Sequence, residues 1–210
     1  MKSIKYFTQF LIISILFLMF KILGLNFASY ISGKIISFVG PFFRSKNLIK
    51  SNILKAFPDL PQNEIEKITK KMWNNYGRIL AEYIFIKDFR LSKLENNIEI
   101  EGYEILEKIR QSNEPVIFIS GHFNNFELMA MQIEKSGINL AAIYRPLNNR
   151  FLNFIMERIR KKYICKNQIQ KGISGTRQLL SFFKKKTSIA LMIDQRVTQG
   201  IKSNFFKHEA

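Results

Sequence analysis

Acidic residues are missing from the first quarter of this 210-residue chain: no Asp or Glu precedes Asp59, whereas Lys2, Lys5, Lys21, Lys34, Arg44, Lys46, Lys50 and Lys55 do. Cysteine is almost absent too. A lone Cys165 rules out a disulfide within the chain, and no CxxC pair exists to hold a metal. A reduced, cytoplasm-facing compartment fits that usage. Of the two histidines, His122 and His208, neither lies near Cys165 in sequence, so the thiol reads as a packing group and His208, two residues before Ala210, as incidental. There is no internal repeat and no low-complexity linker. With 47% apolar residues and 20 Phe, the chain can bury a core and is not disordered.

Positive charge, by contrast, is abundant. Lys and Arg number 33 against 16 Asp and Glu, a net charge of +17, and the isoelectric point is near 10.0. Such a balance suits anionic partners: nucleic acid, anionic lipid or an acidic protein. The basic N-terminal stretch is interleaved with Phe, Ile and Leu rather than Gly and Ser, which is what a membrane surface selects, so no nucleic-acid partner is expected. A second basic stretch, residues 145–186, has Glu157 as its only acid.

The run FTQFLIISILFLMFKILGL, residues 7–25, approaches the length that spans a bilayer, with Lys21 inside it. No small-residue cleavage signal follows promptly, and residues 26–43 stay apolar until Pro41 breaks them. Residues 1–43 therefore read as an uncleaved anchor and an interfacial helix, and residues 44–210 as the globular domain. Helices are expected over 47–57 and 62–86, where Ile65, Ile68, Met72, Tyr76, Ile79 and Leu80 recur at helical spacing. Trp73 and Tyr76 read as helix–helix or interfacial contacts. From residue 98 onward, short β-rich runs (98–100, 116–120, 140–144, 188–193) alternate with helical stretches (103–110, 125–135, 151–162, 176–184). That alternation predicts an α/β fold, a mixed sheet flanked by helices.

The densest chemistry lies in PVIFISGHFNNFE, residues 115–127. An apolar strand runs into Gly121 and His122, then Asn124 and Asn125, then a helix. Open α/β sheets gather their sites where strand C-termini meet helix N-termini. Either Asn is placed to cap the helix. His122 and Glu127 would lie about 140° apart on one continuous helix. They meet only if His122 sits in the preceding loop. A carboxylate holding the imidazole would make His122 a general base able to deprotonate an alcohol attacking an acyl carbonyl.

GHFNNFE resembles the H-x4-D/E motif of lipid acyltransferases, in the Glu form of the late lipid A acyltransferases, the lauroyl/myristoyl family. Further stretches resemble that family in order: NILKAFP at 52–58, the helix through Asn75, Gly77 and Glu82, YRPLNN at 144–149, Arg160 on the next helix, Ile193-Asp194-Gln195 at a strand end, and GIKSNFFKHEA at 200–210. Lys207 stands where the family usually has Gly, Arg150 where Pro is common, and Asn153 where Asp is common.

The resemblance implies an acyltransferase that moves a fatty acyl chain from an acyl carrier protein thioester to a hydroxyl of a lipid A precursor. No cofactor or metal is implied, because a thioester is already activated. His122 and Glu127 would be catalytic; Arg145, Arg160, Asp194, Asn124 and Asn125 would bind or order substrate. The partners implied are acyl carrier protein, the lipid A precursor and the anionic inner membrane, with the active domain on its cytoplasmic face. Family members continue well past the segment matched here, so the chain reads as C-terminally truncated. The alternatives are an acyltransferase acting on a glycerolipid or mannoside, and a non-catalytic basic membrane-binding protein.

Overall fold

The computed structural model describes residues 2–195, 204–205 and 208–209. Its first half is helical: α1 (Lys2–Leu23), α2 (Leu25–Val39), α3 (Lys46–Ala56), α4 (Gln62–Glu82) and α5 (Ile86–Arg90). Gly24, with φ of 76°, makes the bend between α1 and α2. Pro41 stands in a 3₁₀ turn that ends α2, and the Ser45 hydroxyl caps α3 by accepting from the Leu48 N–H.

The second half follows the expected alternation: α6 (Tyr103–Ser112), β1 (Ile117–Ser120), α7 (Glu127–Lys135), β2 (Leu140–Tyr144), α8 (Arg150–Ile159), β3 (Asn167–Gln170), α9 (Ile173–Lys184) and β4 (Ser188–Met192). A π turn, Arg160–Ile164, extends α8. The four strands form one sheet in the order β1-β4-β2-β3. It was expected to be mixed, but all its described pairings are parallel, since a helix separates each strand from the next. A separate antiparallel pair, β5 (Asn204–Phe205) and β6 (His208–Glu209), lies within the segment 200–210. The rest of that segment is outside the described residues.

Two strand expectations need correction. Residues 98–100 form no strand; Ile98 is extended but unpaired, and the chain turns at Gly102 into α6. Conversely β3, with sequence NQIQ, was not anticipated. Asn and Gln are poor strand formers, and β3 exists because it pairs with β2 at the sheet edge, Ala141 opposite Asn167 through Tyr144 opposite Gln170.

Alternate strand residues feed two cores. Phe118, Leu140, Ala142 and Ala190 face α7, the π turn, α5 and the C-terminal part of α1, where Phe20, Ile86, Met131 and Ile164 are fully buried. Ala141, Ile169 and Ile189 face α9 through Leu179. α9 leaves β1 open on this side: Ile117 is 51% and Ile119 62% exposed. Cys165 packs in the first core, its thiol donating to the Leu140 carbonyl at 2.9 Å. Burial raises its pKa to about 11, which keeps it a protonated packing group.

Helix α1 lies along the domain rather than projecting from it. Near its start, the Tyr6 carbonyl accepts from Asn149 Nδ2 at 2.8 Å, the Ser3 hydroxyl meets Arg150, and Phe7 and Phe10 pack on Phe151. Near its end, Lys21 pairs with Asp88 and lies over the Phe85 ring. The outward face stays apolar and exposed through Ile4, Leu11, Ile12, Ile15, Leu18 and Ile22. Phe27, Tyr30, Phe38, Phe42 and Phe43 extend an exposed aromatic rim past α1.

α2 and α4 make the most extensive helix–helix contact. Small residues permit it: Ala28, Ser29, Ser32 and Gly33 are buried on α2 against Gly77 and Ala81 on α4. A Cβ on Gly77 would stand 2.3 Å from the Ser32 carbonyl oxygen and 2.8 Å from the Gly33 Cα, both backbone atoms that yield only if the helices separate. Trp73 closes the same interface over Gly40, whereas Tyr76 is exposed. Gly77→Ala is therefore expected to destabilise the fold by about 1–3 kcal/mol. Thermal unfolding in detergent should show a midpoint several degrees lower; an unchanged midpoint would mean that the helices do not pack this closely.

Candidate active site

Register determines which side chains meet. β1 pairs with β4 so that Ser120 lies opposite Met192. Two residues beyond each, at the same C-terminal end of the sheet, are His122 and Asp194. The Asp194 carboxylate grips His122 twice: Oδ2 accepts the backbone N–H at 2.7 Å and Oδ1 meets ring Nδ1 at 2.6 Å. A carboxylate can only accept here, so Nδ1 carries the proton and Nε2 presents its lone pair. Nε2 lies 3.2 Å from Gln195 Nε2, which donates to it. Phe126 packs its ring edge-on against the imidazole, centroids 4.5 Å apart, limiting rotation about χ2. The His122 side chain keeps 29% of its surface exposed, so its imidazole is reachable.

Gly121 is required by this arrangement. A Cβ there would lie 3.2 Å from Asp194 Oδ2 and 3.0 Å from the Phe123 ring. The two hydrogen bonds from His122 hold the Asp194 carboxyl below its ordinary pKa, the backbone N–H contributing most. It is thus a stable anion, matched to the imidazolium that forms when Nε2 takes a proton.

Glu127 was expected to hold His122, and the structure does not bring the two together. Glu127 is the first residue of α7 and is 8% exposed. Its Oε1 accepts from Arg160 Nε at 2.8 Å and Nη2 at 2.5 Å. His122 does sit in the loop before the helix, as their meeting required. However, the start of α7 turns Glu127 inward, toward the π turn that carries Arg160. Burial alone would lower the Arg160 pKa, but the adjacent Glu127 charge outweighs it and the pKa is raised. The Tyr83 hydroxyl is buried beside this pair without a hydrogen-bond partner. Burial first, and Glu127 second, push its pKa above the usual phenol value. Arg160 is therefore occupied by an internal carboxylate.

Neither asparagine caps α7. Asn124 takes a left-handed conformation, φ 43°, and lines an open groove beside α4. Asn125 donates to Glu82 Oε2 at 3.2 Å, tying the His122 loop to α4. Arg145 is exposed just after β2, at the same end of the sheet, and no described contact joins it to His122. Among the described residues no group of three His, Cys, Asp or Glu side chains could hold a metal ion.

Sequence reasoning placed Asp194 near substrate but did not pair it with His122. The signal lay in the strand ends, 116–120 and 188–193, but their adjacency depends on β4 inserting between β1 and β2. Gln195 as a partner of Nε2, and the Ser29–Glu82–Asn125 relay, were not foreseen. The relay joins residues distant in sequence across a helix crossing, where no local motif announces it.

Comparison with known proteins identifies the family. Residues 1–210 match the model of a family described as bacterial lipid A biosynthesis acyltransferase. The lipid A biosynthesis myristoyltransferase of Escherichia coli (strain K12) is 24% identical over 131 residues, which is 62% of this chain and 40% of that protein. Lipid A biosynthesis acyltransferase 2 of Shigella flexneri is 25% identical over 142 residues, 66% of this chain and 44% of the relative. The matched stretch thus spans less than half the length of each of these relatives. With the family's model matched along all 210 residues, the chain belongs to the bacterial lipid A biosynthesis acyltransferase family.

Proposed function

We propose that this chain transfers a fatty acyl group from an acyl carrier protein thioester to a hydroxyl of a lipid A precursor, with His122 as general base. The observation that carries this reading is the His122–Asp194 contact at the adjacent C-terminal ends of β1 and β4, which leaves Nε2 free to accept a proton. Gln195 gives way to the acceptor hydroxyl. Nε2 takes the hydroxyl proton as the oxygen bonds to the thioester carbonyl carbon. The C–S bond then breaks, and the departing thiolate receives that proton from the imidazolium. Asp194 fixes the ring and stabilises its charge. Glu127, paired with Arg160, anchors the start of α7 and with it the loop that carries His122. Arg145, at the same end of the sheet, is offered as a contact for an anionic part of the substrate. The basic surface suits an acidic carrier protein.

The site of action is the cytoplasmic face of the inner membrane, with α1 lying in the plane of the surface. Supporting this orientation, both ends of α1 are bound to the domain, at Asn149 and Arg150 and again at Asp88. A helix crossing the bilayer in that packing would draw these polar groups into hydrocarbon, which costs several kcal/mol. Its apolar outward face would enter the lipid instead.

Two tests follow. In the full chain, His122→Ala and Asp194→Asn should each lower kcat about 10²–10⁴-fold, with little further loss when combined, because the two act as a unit. Glu127→Gln should instead cost stability, about 3–5 kcal/mol, because it leaves Arg160 buried without its counter-charge. If Glu127→Gln abolished turnover with unfolding unchanged, while Asp194→Asn remained active, the roles of the two carboxylates would be exchanged. The pH dependence has a defined sign. The Asp194 pKa is depressed, so its grip on His122 is fully present above the ordinary carboxylate value of about 3.9 and is lost as pH falls through the lower folded value. Loss of the Asp194 anion should therefore contribute to a fall in rate only below about pH 4, a component absent from Asp194→Asn.

For the membrane, Ile12→Glu and Leu18→Glu on the outward face should each reduce partition into anionic vesicles about tenfold or more without shifting unfolding in detergent. Spin labels at Ile4, Ile12 and Ile22 should report one shallow depth. A label at Ile12 at the bilayer centre, with the other two near opposite surfaces, would refute the in-plane orientation.

A further inference from the structure

Beside the His122 loop lies an open groove of about 690 Å³ formed by α2, α4 and Asn124. Lys34, Lys70, Lys71 and Arg78 line it together with Asn75, and no carboxylate does. None of these four cations forms an ion pair among the described residues. Four cations lining one groove with no carboxylate in its lining repel one another, which stabilises neither the fold nor the α2–α4 crossing. An anionic ligand would relieve that repulsion.

The groove is also built rather than merely superficial. Arg78 Nε donates to Asn74 Oδ1 at 2.9 Å and Nη1 to the Ser29 hydroxyl at 3.3 Å, and Ser29 is itself buried. Ser29 in turn donates to Glu82, whose other oxygen accepts from Asn125. A continuous polar relay, Arg78–Ser29–Glu82–Asn125, therefore connects the groove to the loop that holds the candidate base. Glu82, the nearest carboxylate in that relay, is engaged by Ser29 and Asn125. Meanwhile Arg160, one of the two arginines expected to meet substrate, is neutralised by Glu127.

We propose that this groove is a phosphate subsite: it holds a phosphomonoester of the acceptor glycolipid and so sets the acceptor sugar against His122. The inference rests on the acyl-transfer reading above. A phosphomonoester, with close to two negative charges and three acceptor oxygens, matches several converging cations better than the single charge of a phosphodiester does. The groove opens near the exposed aromatic rim of α2, including Tyr30 and Phe38. A lipid whose acyl chains remain in the membrane can therefore reach it with its headgroup.

The test uses the full chain in mixed micelles, with diphosphorylated lipid A and its phosphate-free analogue as probes. Binding of each is measured directly on wild type and on Lys34→Gln/Lys71→Gln. Wild type should prefer the phosphorylated lipid at least about tenfold, as one charge-assisted contact would give, and the double variant should lose most of that preference while unfolding at the same temperature. An Arg78→Lys variant, which keeps the charge but not the fork, should lose only part of it. Absence of a phosphate preference in wild type, or its retention in the double variant, would overturn the subsite. The donor side is separated by titrating acyl carrier protein: if the double variant weakens carrier binding and leaves lipid selectivity intact, the groove serves the donor and the proposal is wrong. Phosphate-dependent binding without any acyl transfer would reject the reaction and leave the subsite standing. Transfer without phosphate preference would do the reverse.

Discussion

The candidate site depends on the hydrogen-bonded register between β1 and β4. Because the strands are parallel and Ser120 lies opposite Met192, the residues two positions further on emerge side by side. A one-residue slip would send Asp194 to the opposite side of its strand end and remove both contacts to His122. The slip is resisted from below the site: Ile189 and Leu191 point toward α9, while Ala190 points toward the core under α7. Exchanging those faces would put the larger side chains where Ala190 now packs. The geometry of the base is thus maintained by the packing of a strand that contributes only a carboxylate to it.

A second constraint governs the opposite side of the His122 loop. The Glu127–Arg160 pair is deeply buried, and burying two charges repays its desolvation only when geometry and further hydrogen bonds are good. Two guanidinium nitrogens on one carboxylate oxygen supply much of that. The pair links the start of α7 to a π turn, and π turns are uncommon distortions often associated with functional sites. Arg160, the last residue in phase with α8, opens that turn and faces Glu127. Asp194 from one side and Arg160 from the other thereby hold a segment that contains no regular structure of its own between Ser120 and Glu127.

Much of this was legible in the sequence, and the reasons are specific. The apolar runs at 116–120, 140–144 and 188–193 gave three of the four main strands because buried parallel strands are continuously hydrophobic. NQIQ did not reveal β3, since an edge strand is defined by its neighbour rather than by its own composition. His122 was recognisable from its place after a strand and a glycine. Its partner was not, because the nearest carboxylate along the chain, Glu127, is not the nearest in space. Spacing describes the chain within one element, whereas strand order 1-4-2-3 brings residues 122 and 194 together across 72 positions. The groove cations were visible only as part of a general basic excess, because nothing in the run of charges says which of them face one another.

The N-terminal helices join the proposed membrane face and the candidate site in one frame. α2 presents aromatic side chains outward, packs small residues on α4, and contributes Lys34 and Ser37 to the basic groove. α4, reached across Gly77, runs from that groove to Glu82 and hence to Asn125 beside the base. α1, fixed at both ends to the domain, sets the outward apolar face against which the rest is oriented. On the proposed function, an amphiphilic acceptor and the sheet that carries His122 must be brought into register at a boundary about 5–10 Å deep. A flexible tether would leave that depth free to vary. Docking the apolar helix along the domain removes the freedom, and the tight α2–α4 crossing transmits the same reference to His122. On that proposed reading the small residues at the crossing are part of the site: they fix the height of His122 relative to the membrane surface.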